Sequence, residues 1–111
     1  MKLAYKIWLD EKGKAFGEGP YQLLKKVERT GSLHQASADM GMSYSKAWRL
    51  MRNIEKKLNL PLLERHAGGV SGGGSLITPQ ARELLDRYEK LRKDADRALE
   101  KIYKKHFGSI K

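Results

Sequence analysis

The punctuation between residues 30 and 44 constrains this chain more than any other feature. Ser32-Leu33-His34-Gln35 has the form of a capping box, in which side chains satisfy the free backbone N–H groups at a helix start. Gly41 is a terminator, and Ser43 opens another helix two residues later. Only a short helix fits between these marks, with Leu33, Ala36 and Met40 on one face and Met42 as a plug before the next element. A short helix, a glycine turn and a longer helix make a helix–turn–helix unit, with Met40-Gly41-Met42-Ser43 as its tight connection.

The helix opened by Ser43 has apolar residues at steps of three and four: Ala47, Leu50, Met51, Ile54 and Leu58. Its opposite side carries Ser45, Arg49, Arg52, Asn53 and Lys56, and Tyr44 and Trp48 lie on the flank between. Asn59 and Pro61 close it. Upstream, Pro20 suits a first helical turn, Tyr21, Leu23, Leu24 and Val27 form a stripe, and Gly31 ends that helix. Before it, Leu3, Tyr5, Ile7 and Leu9 alternate with Lys2, Lys6 and Asp10, which predicts a half-buried strand. Asp10-Glu11-Lys12-Gly13 is a turn signal, and Lys14-Ala15-Phe16 returns, giving an N-terminal hairpin over 2–16 with Trp8 packed on its outer face.

Downstream, 62–66 reads as a strand, 67–74 as a glycine-rich tip and 75–77 as the returning strand, a hairpin spanning 62–77. Thr78 caps a last helix with Pro79 at its first position. Leu84, Tyr88, Leu91, Ala95, Ala98 and Ile102 then alternate steps of four and three, with Ala81, Leu85 and Leu99 widening the stripe. A helix over 79–107 is about 43 Å long, more than the remaining residues can cover, so a second copy is expected on the stripe. The predicted organisation is a unit over 1–78, a long dimerisation helix over 79–107 and a tail at 108–111. The fold class is mainly α with small β.

With 111 residues the chain has room for one domain plus one long element. It contains no cysteine, which excludes disulfide scaffolds, Cys-ligated zinc and thiol catalysis. No apolar run approaches a membrane span and no signal-peptide h-region follows Met1, so a soluble intracellular protein with no membrane partner is expected. The net charge of +10 points to a polyanion. Its densest excess lies at 43–57, where five Lys or Arg face one carboxylate. Alone, that run reads as a solvated helix face.

Caps, turn and glycine-tipped hairpin together change that reading, because three short helices followed by such a hairpin form a winged helix–turn–helix. A unit of this kind sets its second helix in the DNA major groove. Arg49 and Arg52 can bond guanine O6 and N7, and Asn53 can pair with adenine. Ser45, Lys46 and Lys56 suit phosphate. For Tyr44 and Trp48, packing against hairpin or wing competes with stacking on sugar or bases. The wing glycines form either a phosphate-binding nest or a flexible tip. His34, His66 and His106 have no metal-ligand spacing, and of these only His66 is placed to touch phosphate. No catalytic constellation is visible, so no enzyme, cofactor or metal is expected.

Thr30-Gly31-Ser32-Leu33 to Ala36, the run Met40-Gly41-Met42-Ser43-Tyr44-Ser45-Lys46-Ala47-Trp48, Ile54-Glu55 to Leu58, Pro61-Leu62-Leu63-Glu64-Arg65, the wing glycines and Leu76-Ile77-Thr78 resemble the amino-terminal domain of ModE-type molybdate-responsive regulators. More distantly they resemble LysR-type regulators. The resemblance covers about residues 20–105. It implies a cytoplasmic prokaryotic transcription factor that dimerises through its last helix, with a DNA-reading helix at 43–57 and a wing at 65–75. The implied DNA-binding set is Ser43, Tyr44, Ser45, Lys46, Arg49, Arg52, Asn53, Lys56, Arg65, His66, Ser71, Gly72 and Gly73, and the dimer set is the heptad stripe. The sequence ends at Lys111 without the molybdate-binding domains of such regulators, so no molybdate site is expected in it. Two other classes stay open: an architectural DNA-binding protein of weak sequence choice, and a coiled-coil adaptor for an acidic partner.

Overall fold

A computed structural model describes residues 1–66 and 74–110. In chain order the elements are β1 (Leu9–Asp10), β2 (Lys14–Phe16), α1 (Glu18–Thr30), α2 (Leu33–Asp39), α3 (Tyr44–Leu58), β3 (Leu63–His66), β4 (Gly74–Ile77) and α4 (Pro79–Phe107). Helices dominate, and the strands form two antiparallel pairs, β1 with β2 and β3 with β4. This is the winged helix–turn–helix architecture that the sequence predicts.

The local signals act as read. Ser43 Oγ accepts from Lys46 N at 3.1 Å, and Gly31 N donates to Val27 O at 2.7 Å to close α1. Gly41 turns the chain between α2 and α3 at φ 68°, where a side chain would be strained. Asn59 closes α3 in the same left-handed region. The capping box at α2 forms only by half. Ser32 Oγ accepts from Gln35 N at 3.0 Å, but the Gln35 amide turns forward to Asp39 Oδ1 at 2.9 Å instead of back to the helix start.

Between the helices, Leu23, Leu24, Val27, Leu33, Ala36, Ala47, Met51 and Ile54 form a continuous core that Leu62 and Leu63 extend toward the wing. The wing ladder has no irregularity, from Leu63 opposite Ile77 to His66 opposite Gly74. It is pinned to the α1–α2 corner, where Ser75 N donates to Gly31 O at 3.0 Å. A Cβ at Gly74 would stand 2.8 Å from that carbonyl, so only glycine permits the approach. Thr78 roots α4. Its buried hydroxyl donates to Pro61 O at 2.6 Å and accepts from Ala81 N at 2.9 Å, and its amide donates to Leu62 O at 3.0 Å.

Two expectations are corrected. The strand predicted over residues 3–9 is only Leu9–Asp10, because the returning β2 has three residues and offers no ladder partner further back. Residues 1–8 instead run as an irregular arm. Tyr88 donates to Ile7 O at 2.9 Å and Tyr5 donates to Asp96, so the arm lies on α4. Trp8 is half exposed under Lys14 rather than packed on a sheet face.

The second correction concerns Tyr88, which the heptad pattern assigns to a pairing face. It is 2% exposed within the chain's own core, edge-on to Phe16 at 5.2 Å and tilted against Tyr21 at 5.4 Å. The period of a stripe does not say which partner covers each turn. Here Phe16 and α1 converge on Tyr88 before any second copy can. Nearby, the Tyr21 hydroxyl donates to Glu89, and that bond, with Lys25 beside it, holds the Glu89 carboxyl below its ordinary value against the opposing effect of burial.

Candidate nucleic-acid interface

The buried stripe of α3 sets what its other side presents. With Ala47, Met51 and Ile54 locked into the core, Ser45, Lys46, Arg49, Arg52, Asn53 and Lys56 all face outward. At 100° per residue these six fall within an arc of about 120°, so they share one surface. Ser43 stands exposed at the amino end, its hydroxyl engaged in the cap.

Within that face the cations differ. Arg49, Lys46 and Lys56 make no ion pair among the described residues. Arg52 lies 2.5 Å from Glu55 and over the Trp48 ring at 4.1 Å, so it is committed to its own helix. Lys57 turns away and donates to Lys14 O at 3.1 Å. Glu55, the one carboxylate of the helix, is also spent. Its second oxygen accepts from the amides of Leu62 and Leu63 at 2.6 and 3.2 Å, fixing the base of the wing. Its charge neutralises Arg52, and the outward field of α3 is left to Lys46, Arg49 and Lys56. No local pattern announces this role, because the amides it accepts from lie across a loop.

Tyr44 and Trp48 pack as the flank position suggested, against the wing. Arg65 of β3 donates to the Tyr44 hydroxyl at 2.9 Å and sits over Trp48 at 4.3 Å. His34 of α2 stacks on Tyr44 at 5.4 Å. Arg65 is exposed and thus joins the same surface as the α3 face. His66 belongs to β3, whereas Ser71, Gly72 and Gly73 lie outside the described residues.

The second candidate surface is on α4. After Tyr88 the helix leaves the core, and Leu91 and Ile102 are 42% and 53% exposed, with Ala98 exposed and Ala95 half-buried between them. Leu84 packs partly on the core. The expected stripe thus divides, with Tyr88 inside the domain and four residues from Leu91 onward outside it. Among the described residues, no group of His, Asp or Glu is arranged to hold a metal, and no helix is long and apolar enough to cross a membrane.

Comparison with known proteins agrees with this geometry. The family described as bacterial regulatory helix-turn-helix protein, lysR family, matches residues 21–82. The transcriptional regulator ModE of Haemophilus influenzae is 38% identical over 77 residues, covering 69% of this chain and 30% of that protein. The DNA-binding transcriptional dual regulator ModE of Escherichia coli is 31% identical over 91 residues, covering 82% and 32%. The chain thus spans about a third of the length of the curated relatives it matches. Among solved structures, the CbnR_DBD–DNA complex superposes with a TM-score of 0.58 at 20% identity, covering 75% of this chain and 90% of that one. The BenM_DBD complex with benA site 1 DNA gives 0.56 at 20% identity, covering 81% and 96%. At that identity the structural likeness speaks for the fold.

Proposed function

The chain belongs to the LysR-type family of bacterial regulatory helix-turn-helix proteins, and from that premise we propose that it is a sequence-specific, double-stranded-DNA-binding transcription regulator acting as a homodimer in the bacterial cytoplasm. It works by binding rather than by catalysis. The observation that carries the reading is the outward face of α3, where Lys46, Arg49 and Lys56 make no ion pair among the described residues and stand beside the Asn53 amide, held rigid by the buried stripe behind them. Arg49 reads guanine through a bidentate bond and Asn53 reads adenine. Ser43, Ser45, Lys46 and Lys56 position the helix on phosphates, and Arg65, His66, Ser71, Gly72 and Gly73 bring the wing to the flanking backbone. Tyr44 borders the groove.

The exposed stripe of α4 supplies the twofold contact. An antiparallel partner helix sets Leu91 against Ile102 of the partner and Ala95 against Ala98 of the partner, with small residues at the centre and large ones outside. In that register Asp94 meets Lys101 of the partner, an attractive pair flanking the seam. Residues 1–78 with the first turns of α4 then form the DNA-binding head, and the two recognition helices meet half-sites about 34–36 Å apart or a multiple of that. No oxyanion site is part of this reading. Calorimetric titration with molybdate and with sulfate should therefore show no selective micromolar binding.

Selection of bound duplexes from random DNA, followed by mobility-shift titration against competitor and salt, is the direct test. A cognate complex should survive excess scrambled duplex, with log affinity falling linearly in log salt by about 0.9 per phosphate neutralised. Equal displacement by any duplex would favour an architectural protein. Absence of DNA binding at low salt would leave the adaptor reading.

A further inference from the structure

The side chains between α3 and the wing form a connected chain of contacts that groove reading by itself does not require. Arg65, on β3, reaches back to α3 with both ends of its chemistry: a guanidinium N–H donates to the Tyr44 hydroxyl at 2.9 Å, and the guanidinium plane covers Trp48 at 4.3 Å. Trp48 takes a second guanidinium, that of Arg52, at 4.1 Å. Arg52 is fixed in turn by Glu55, whose other oxygen accepts from the Leu62 and Leu63 amides where the wing begins. From Leu62 through Glu55, Arg52, Trp48 and Arg65, the contacts leave the wing at its base and return to it in the middle of β3. His34 abuts the far side of this array through Tyr44.

We propose that Arg65 is a positioning residue that clasps β3 to the recognition helix through Trp48 and Tyr44, so that the β3–β4 pair is set for DNA before DNA arrives. The argument is geometric. A guanidinium is planar, so it stacks on an indole face while its in-plane N–H bonds a phenol, whereas the compact ammonium of lysine has no plane to stack and no fixed fork to aim. Two arginines gathered over one ring repel each other. Glu55 offsets that repulsion on the Arg52 side, which gives the carboxylate a reason to sit amid a basic face. The other strand of the wing is held independently by the Ser75–Gly31 bond, so the clasp acts on β3. The consequence for function rests on the DNA-binding reading above: a preset wing loses less freedom on binding, and affinity rises accordingly.

Backbone hydrogen exchange of the free, full-length chain tests the clasp without DNA. In Arg65→Lys, which keeps the charge, the protected amides of β3 and β4 should exchange about three- to tenfold faster, while those of α1 and α4 keep their protection. Tyr44→Phe, which removes only the hydroxyl, should produce a smaller change at the same amides. On DNA, Arg65→Lys should bind several-fold more weakly with an unchanged salt slope, since no charge is lost. Unaltered exchange of the wing in Arg65→Lys would overturn the proposal. A wild-type chain that binds no duplex would refute the regulator reading instead, and the exchange result would stand apart from it.

Discussion

Helices α3 and α4 both carry apolar stripes at steps of three and four, but the rest of the chain covers them to different extents. The α3 stripe is covered from end to end, with Ala47, Met51 and Ile54 at 2% exposure or less and Leu50 and Leu58 half-buried beside them. The α4 stripe is buried at Ala81, Leu85 and Tyr88 and opens from Leu91 onward, where Leu91, Ala98 and Ile102 are exposed and Ala95 is half-buried. Length is the cause. At about 1.5 Å per residue, the 15 residues of α3 fit within a body 27 Å wide, whereas the 29 of α4 overrun it and stretch the molecule to 60 Å. What packing leaves outside is then opposite in kind: a polar face on α3, and on α4 an apolar one that water does not favour. One surface suits a polyanion and the other a copy of itself.

The comparison breaks first at the inner faces, which should be equivalent. Met51→Ala and Leu85→Ala each remove a side chain that is 2% exposed or less and should each cost about 2–5 kcal/mol in urea denaturation. A much smaller loss for Leu85→Ala would show that the start of α4 is not part of the core. Next come the outer apolar residues. Leu91→Asp should weaken self-association by about 2–3 kcal/mol for each leucine withdrawn from the seam, with the helical content of the monomer intact. Sedimentation would then report a mass near 12.7 kDa where the parent chain gives twice that, and a parent chain already monomeric at micromolar concentration would defeat the pairing.

The polar face of α3 should answer on DNA and not in either of those assays. Arg49→Ala should cost about 1–3 kcal/mol on the selected duplex and relax choice at one base pair. Lys56→Ala should weaken all sequences alike and reduce the salt slope by about 0.9. Equal losses on selected and scrambled duplexes for Arg49→Ala would remove its role as a reader. The smallest effect tests the seam register. Asp94→Lys should weaken pairing by about 0.2–1 kcal/mol, and Asp94→Lys combined with Lys101→Asp should restore it. Failure of the double variant to recover would argue for another alignment of the two helices.

The same contrast explains what could be read in advance. Helix starts and stops were legible because their chemistry is local: Ser32, Ser43 and Thr78 each accept from an amide three residues on, and Gly31 and Asn59 turn the chain where they stand. The polar face of α3 followed from its stripe. Whatever depended on a distant partner was not legible. Leu3, Tyr5 and Ile7 alternate as a strand does, but alternation supplies no neighbouring edge. The clasp joins residues 21 positions apart in Tyr44 and Arg65, and Glu55 meets its amides across a loop. Arg52 looks as available for guanine as Arg49 in the sequence for the same reason, since only the folded chain brings Glu55 and Trp48 to it together.

Thr78 has a mechanical consequence. Three short bonds, to Pro61, Leu62 and Ala81, set the direction in which a rod about 43 Å long leaves the domain. The rod is a lever: a swing of about 10° at its root would carry its far end about 7 Å, two base-pair steps along a duplex. The angular tolerance of the assembly is therefore shared between the Thr78 bonds at the root and the buried Leu85 and Tyr88 contacts that follow them. Thr78→Val, which keeps the shape and deletes the Thr78 hydroxyl, would slacken the spacing between two reading heads without altering a residue proposed to contact a base or a phosphate.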